Sequence, residues 1–148
     1  MYDVVVVGGG PSGATAAEDL ARSGHSVALL DRDGRIKPCG GAIPPRLIAD
    51  FDLPEEQLVA RISTARMISP TGRHVDIPIE NGFVGMVDRD VFDPWLRKRA
   101  AEAGATVRTA TFKELEYLDD GRVRITYLDK DTVGEKRQVV ARAVIGAD

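Results

Sequence analysis

An α/β fold, with a parallel sheet and an antiparallel β-meander as one of its crossovers, is what this chain's sequence predicts. Three observations predict it. The unbroken apolar run Tyr2 to Val7 passes straight into Gly8-Gly9-Gly10-Pro11-Ser12-Gly13. A helical stretch and a second apolar run, Ser26 to Leu30, follow and end on Asp31. Farther on, acidic turns divide residues 112–140 into segments of strand character.

Each element has a physical reason. A continuous β-branched run such as Val4 to Val7 is the pattern of a strand buried on both faces of a parallel sheet. Glycines stand at the G-x-G-x-x-G positions Gly8, Gly10 and Gly13. The first allows the tight turn, the second lets a pyrophosphate approach the backbone, and the third lets the helix pack close to the strand. Pro11 lies at the helix start, and Ser12 is the expected N-cap, turning free N–H groups and the helix dipole toward phosphates. The helix is expected over Ser12 to Ser23, with Ala14, Ala17, Leu20 and Ala21 on its packed face, and Gly24 stops it. Asp31 closes the second strand about 20 residues beyond Gly10, the offset of an acid that accepts from ribose hydroxyls. Strand, turn, helix, strand and acid together make a Rossmann-like dinucleotide-binding fingerprint.

Arg32 to Pro38 reads as a polar loop leading into Cys39-Gly40-Gly41-Ala42-Ile43. Pro44-Pro45 starts a short helix over Arg46 to Asp50, and Pro54 to Gln57 starts another. Ala65 to Ser69 and Arg73 to Ile79 form a hairpin about Ser69-Pro70-Thr71-Gly72. Asp88 caps a helix that runs through Ala103 and ends at Gly104, with Val91, Phe92, Trp95, Leu96 and Ala100 expected inward. Ala105 to Ala110, Phe112 to Leu118, Arg122 to Leu128, Gly134 to Val140 and Ala141 to Gly146 read as successive strands. Asp119-Asp120-Gly121 and Asp129-Lys130-Asp131 supply the hairpin connections. A nicotinamide dehydrogenase more often continues with βα units here; the meander shifts the cofactor from NAD toward FAD, by analogy with known flavoproteins.

Composition bounds the function. The 148 residues suffice for one domain and are short for a two-domain oxidoreductase. A net charge of −3 with scattered Lys and Arg argues against a nucleic-acid surface. A single cysteine allows no internal disulfide, which fits a reducing, cytoplasmic compartment. Neither a secretory signal nor an apolar run long enough to span a bilayer is present in the sequence. His25 and His74 stand apart from any ligand cluster, so metal binding is not expected. Val144-Ile145-Gly146-Ala147-Asp148 reads as the opening half of another cofactor-contacting turn. Residues 1–148 are therefore expected to be an FAD-binding domain truncated at its C-terminal end.

These motifs carry a family resemblance. Gly8-x-Gly10-x-x-Gly13-x-x-x-Ala17-x-x-Leu20-x-x-x-Gly24-x-x-Val27, closing on Asp31-Arg32, is similar to the FAD fingerprint of p-hydroxybenzoate hydroxylase-like flavoproteins. Lys37-Pro38-Cys39-Gly40-Gly41-Ala42-Ile43-Pro44 resembles the loop of geranylgeranyl reductases, in particular their (bacterio)chlorophyll branch. Val87-Asp88-Arg89-x-x-Phe92-Asp93-x-x-Leu96 resembles that family's helix with an FAD-contacting arginine, and Gly146-Ala147-Asp148 the start of its second FAD motif. The resemblance covers essentially the whole chain, and family members are considerably longer.

The resemblance implies an oxidoreductase that reduces C=C bonds of a geranylgeranyl chain to phytyl. Its partner is a prenylated chlorophyll-type pigment or a prenyl diphosphate, with NADPH as electron donor and FAD as carrier. It implies that Arg89 meets the pyrophosphate or adenosine, that Cys39, Gly40 and Gly41 lie beside the flavin, and that the backbone at Ala110 meets adenine. Related flavoproteins mostly carry Glu at the position of Asp31. No residue is assigned a catalytic role. An apolar substrate is compatible with peripheral contact at a photosynthetic membrane, and the oligomeric state stays open. Two rivals remain at this point: an FAD-dependent monooxygenase of the same superfamily, and a nucleotide-binding module without activity of its own.

Overall fold

The computed structural model describes residues 1–32, 39–130, 132 and 134–147. Its elements run β1 (Tyr2–Val7), α1 (Pro11–Arg22), β2 (Val27–Asp31), β3 (Ala42–Ile43), α2 (Pro45–Asp50), a 3-10 turn (Glu55–Gln57), β4 (Ala60–Ile62), β5 (Thr64–Ile68), β6 (His74–Pro78), β7 (Val84–Met86), α3 (Arg89–Glu102), β8 (Thr106–Tyr117), β9 (Val123–Asp129) and β10 (Glu135–Gly146). They fall into two compact units, Met1–Arg35 with Asp93–Asp148, and Ile36–Phe92.

In the first unit, β8, β2, β1 and β10 lie side by side in parallel, and β9 joins β8 to β10 antiparallel, closing the ring β1-β10-β9-β8-β2. The expected parallel sheet with a meander crossover is thus present. Where the sequence suggests two strands at residues 105–118 and two at 134–146, each pair is one continuous strand. β8 pairs parallel with β2 through Asp31↔Thr109 and antiparallel with β9 from Ala110↔Asp129 onward. β10 does the reverse, antiparallel to β9 up to Ala141↔Val123 and parallel to β1 through Val7↔Gly146. The partner changes while the extended backbone continues, so no turn residue marks the change. A register irregularity between Phe112 and Glu114 takes up the mismatch in β8.

Alternation fills both faces of the parallel strands. Val5, Ala28, Leu30, Ala110, Val123, Ile125, Tyr127 and Ala141 form one buried cluster. Val27 and Leu29 alternate with Ala28 and Leu30 and are equally buried. The helix α1 packs on β1 and β2, burying Gly13, Ala14, Ala17 and Glu18. The carboxylate of Glu18 is only 3% exposed because its Oε1 accepts from Arg22 on its own helix and from Arg99 on α3, at 2.9 Å from each Nη2. Arg99 also lies over the Trp95 ring, 4.9 Å from its centroid.

In the second unit β3, β7 and β4 make a small antiparallel sheet, α2 packs on β7, and β5 and β6 form the expected hairpin. Arg66 and Asp76 pair across that hairpin at 2.6 Å. Asp88 accepts from the Asp90 N–H at 3.0 Å, as its capping position requires. Val91 does not face inward: it is 59% exposed, whereas Phe92, Leu96 and Ala100 are buried. Residues 88 to 92 form the first turn, and Val91 falls about 100° round the helix from Phe92, on the solvent side. Lys37 and Pro38, Asp131 and Asp148 lie outside the described residues. No helix among the described residues is long and apolar enough to cross a membrane.

Candidate functional site

The parallel strands of the first unit end together, and a cavity of about 420 Å3 opens at their carboxyl ends. Val7 and Gly8 of β1 and its turn, Leu30, Asp31 and Arg32 of β2, Ala110 to Phe112 of β8, and Gly146 of β10 line it. The chain moves from β1 to β2 and β8 on one side, and β10 comes back on the other side of β1. Ligands of open α/β sheets bind where the strand order reverses in this way. Of the sequence-derived candidates, Gly8, Asp31, Arg32 and Ala110 therefore share one cavity.

The glycine turn is built by exclusion of side chains. Gly8 has φ 107°, a left-handed conformation that favours glycine, and its N–H donates to the Leu30 carbonyl at 2.8 Å. A Cβ on Gly13 would stand 1.9 Å from the Gly8 carbonyl oxygen, so α1 touches the turn backbone to backbone. The N-cap of α1 is Gly10 rather than Ser12, and no side chain caps the helix. Pro11 takes the first helical position and sets where the helix begins, which leaves Ser12 exposed within the first turn. A helix whose first-turn N–H groups carry no side-chain cap is a ready anion site. The residues thus fit the pyrophosphate of a dinucleotide cofactor: a glycine turn packed backbone to backbone against a helix start that no side chain caps.

Asp31 stands at the end of β2 with its Oδ2 accepting from the Gly9 N–H at 2.7 Å. The guanidinium of Arg97 on α3 lies 3.7 Å from its Oδ1 and donates to the Gly9 carbonyl at 3.1 Å. Neither Gly9 nor Arg97 stands out in the sequence as a site residue. Three successive glycines are the only trace of Gly9's role, and Arg97 sits 88 positions away in a run of basic helical residues. The Arg32 carbonyl accepts from the Lys130 ammonium.

The other candidates belong to the second unit. Cys39 and Gly40 are exposed, and Gly41 is buried with φ 68°. A Cβ on Gly41 would meet the Val87 carbonyl oxygen at 2.2 Å, and the Gly41 carbonyl accepts from the Val87 N–H at 2.9 Å, which ties this turn to β7. Arg89, half-buried, opens α3 one residue after its Asp88 cap.

Comparison with known proteins gives the same direction. The sequence pattern of the FAD dependent oxidoreductase family matches residues 3–147. The chain belongs to that family. Among FAD dependent oxidoreductases, it is 64% identical over 147 residues to the geranylgeranyl diphosphate reductase of Rhodobacter capsulatus, covering 99% of this chain and 37% of that protein. It is 43% identical to the chloroplastic geranylgeranyl diphosphate reductase of Nicotiana tabacum, covering 98% of this chain and 33% of that protein. A geranylgeranyl bacteriochlorophyll reductase-like protein of Thermoplasma acidophilum superposes with a TM-score of 0.86 at 27% identity, over 99% of this chain and 39% of that one. The chain thus spans little more than a third of the relatives it matches.

Proposed function

We propose that this chain is the ADP-holding part of the FAD site of a geranylgeranyl reductase. The protein that carries it saturates C=C bonds of a geranylgeranyl chain, on a (bacterio)chlorophyll-type pigment or as the diphosphate, to give phytyl. The observation that carries the cofactor is the cavity at the strand ends, lined by Gly8 of the glycine turn, Asp31 and Ala110, with the uncapped α1 following that turn in the chain. What favours the substrate class is the 64% identity to the bacterial geranylgeranyl diphosphate reductase along nearly all of this chain.

In this reading the first-turn N–H groups of α1, after Gly10 and Pro11 and including Ser12 and Gly13, hold the pyrophosphate. Asp31 accepts from the ribose hydroxyls, and its charge disfavours a 2′-phosphate in the same place. Arg32 borders the ribose, and Ala110, 2% exposed at the cavity wall, offers backbone to adenine. Arg89 meets the pyrophosphate, forking onto its oxygens, or packs on the adenosine. Cys39, Gly40 and Gly41 border the flavin ring with little side-chain bulk. Bound FAD supplies hydride transfer, and NADPH is the reductant that recharges it. An unactivated alkene also needs a proton and a dry pocket, and most of that pocket belongs to the rest of the longer protein. The prenyl chain brings the protein into peripheral contact with the membrane that holds its substrate.

The test is calorimetric titration with FAD, NAD and NADP, repeated on Asp31→Ala. Saturable FAD binding that weakens about 10- to 100-fold in the variant is expected for the loss of a charge-assisted hydrogen bond. A preference for NAD overturns the reading. The full-length protein is then assayed for NADPH-dependent reduction of geranylgeranyl pigments, while the 148 residues alone show no turnover.

A further inference from the structure

The cofactor cavity leaves one element of the site unexplained. Arg97 does not line it; it lines a separate hollow of about 210 Å3 together with Pro94, Val107, Arg108, Thr109 and Asp31. Asp31 is the residue common to both. Arg97 therefore meets Asp31 from outside the lining of the cofactor cavity. Its side chain is only 16% exposed, which is low for an arginine that merely faces solvent.

From that position it reaches the glycine turn. The two polar groups of Gly9 are both taken: its N–H by Asp31 Oδ2 at 2.7 Å, its carbonyl by Arg97 Nη1 at 3.1 Å. The arginine and the acid face each other at 3.7 Å, so the three residues meet at the middle of the turn. The fit is tight: a Cβ on Gly9 would meet Arg97 Cδ and Asp31 Cβ, each at 2.8 Å. A carbonyl oxygen that swings toward a pyrophosphate repels it, and Arg97 is what holds the Gly9 oxygen elsewhere. The carboxylate that accepts from ribose is also the one that fixes the Gly9 N–H.

We propose that Arg97 is a positioning residue for dinucleotide binding, latching the Gly9 peptide groups and Asp31 in the cofactor-ready arrangement before the cofactor arrives. The proposal rests on the FAD reading of the site and adds a residue whose role is to hold the turn and the acid. Preorganisation of this kind raises affinity by removing the ordering step from binding.

The experiment compares the full-length protein with its Arg97→Met and Arg97→Lys variants, with and without Asp31→Asn. In the ligand-free protein, amide hydrogen exchange at Gly9 is expected to quicken at least tenfold in R97M, while exchange at Ala17 within α1 stays unchanged. FAD affinity falls about tenfold, as for one lost charged hydrogen bond, and R97K, which keeps a donor, recovers part of it. Combined with Asp31→Asn, the loss is smaller than the product of the single losses, because both act on the same turn. Unchanged Gly9 exchange, or wild-type FAD affinity in R97M, overturns the latch. So does multiplication of the two losses. If R97M fails to fold, R97K is read by the same measures. Failure of the wild type to bind FAD strikes the functional reading, and Gly9 exchange still decides the latch.

Discussion

Replacing Gly13 by alanine tests the closest contact of the site. The added Cβ would stand 1.9 Å from the Gly8 carbonyl oxygen and 3.0 Å from both Gly8 C and Ala147 Cβ. None of these neighbours yields easily, since Gly8 is bonded to Leu30 and Ala147 to Val7, each at 2.8 Å. The helix α1 has to retreat instead, by about 1.5 Å to reach an ordinary van der Waals separation. Overpacking of this kind costs about 3 kcal/mol at the upper end of its range. The better helix propensity of alanine returns about 1 kcal/mol. A net loss of about 2 kcal/mol lowers Tm by about 4–8 °C for a chain of this size. A retreat of about 1.5 Å also takes a phosphate beyond reach of one N–H, weakening FAD binding by about 10- to 100-fold. Differential scanning calorimetry and FAD titration of the same preparation measure both effects. Gly24→Ala is the control: its Cβ meets nothing within 4 Å, but φ is +86°, so stability falls while FAD affinity holds. A Gly13→Ala protein with wild-type Tm and FAD affinity refutes the backbone-to-backbone contact and the role given to it.

The remaining predictions concern the frame around the site. Leu29→Ala, at a residue with no exposed surface, costs about 2–5 kcal/mol in denaturant unfolding. Glu18→Ala removes the shared acceptor of Arg22 and Arg99 and costs about 1–3 kcal/mol, below the figure for a fully buried pair because Arg22 is 64% exposed. Asp3 accepts from the Ser26 N–H and hydroxyl at 2.9 and 2.7 Å, and the backbone bond is the leading cause that holds its carboxyl below the usual carboxylate range. A carboxyl depressed by folding contributes stability that is full above its unfolded pKa, near 4, and is lost as the pH falls through the folded value. Asp3→Asn is expected to flatten the acid limb of a Tm-versus-pH curve and leave its shape above pH 6 unchanged. An identical acid limb in both proteins contradicts the role of the Ser26 bonds.

The parts of the molecule that sequence makes legible are those where one residue type answers one local demand. The apolar run of β1, the glycines at 8, 10 and 13, the Gly24 helix stop and the Asp88 cap all belong to this class. At Gly24 the two bonds that end the helix, Gly24 N–H to Ala21 and His25 N–H to Leu20, are those expected of a glycine terminus. What escapes local reading is set by distant partners. Glu18 reads as a solvated helical acid until Arg99 is brought against it from another helix. Arg97 reads as one basic residue among several until α3 docks and sets it over Gly9. Ser12 outranks Gly10 on capping preference, yet Pro11 decides where the helix begins. β8 and β10 look broken in sequence because their neighbours change midway, although the backbone does not.

The pairing of β1 also has a consequence in time. The strand that leads into the glycine turn has β2 on one side and β10 on the other, with Tyr2 opposite Ala141. A ribosome adding about 5–20 residues per second leaves an interval on the order of ten seconds between the emergence of the two. Through that interval Val4 to Val7 is an apolar strand with one open edge, the kind of segment that seeks other chains. The meander β8-β9-β10, whose strands follow one another closely in sequence, can form as soon as it emerges and then offers β10 as the template that caps the edge. Within these residues β1 emerges well before β10, so its unpaired edge stays exposed until residue 146 appears.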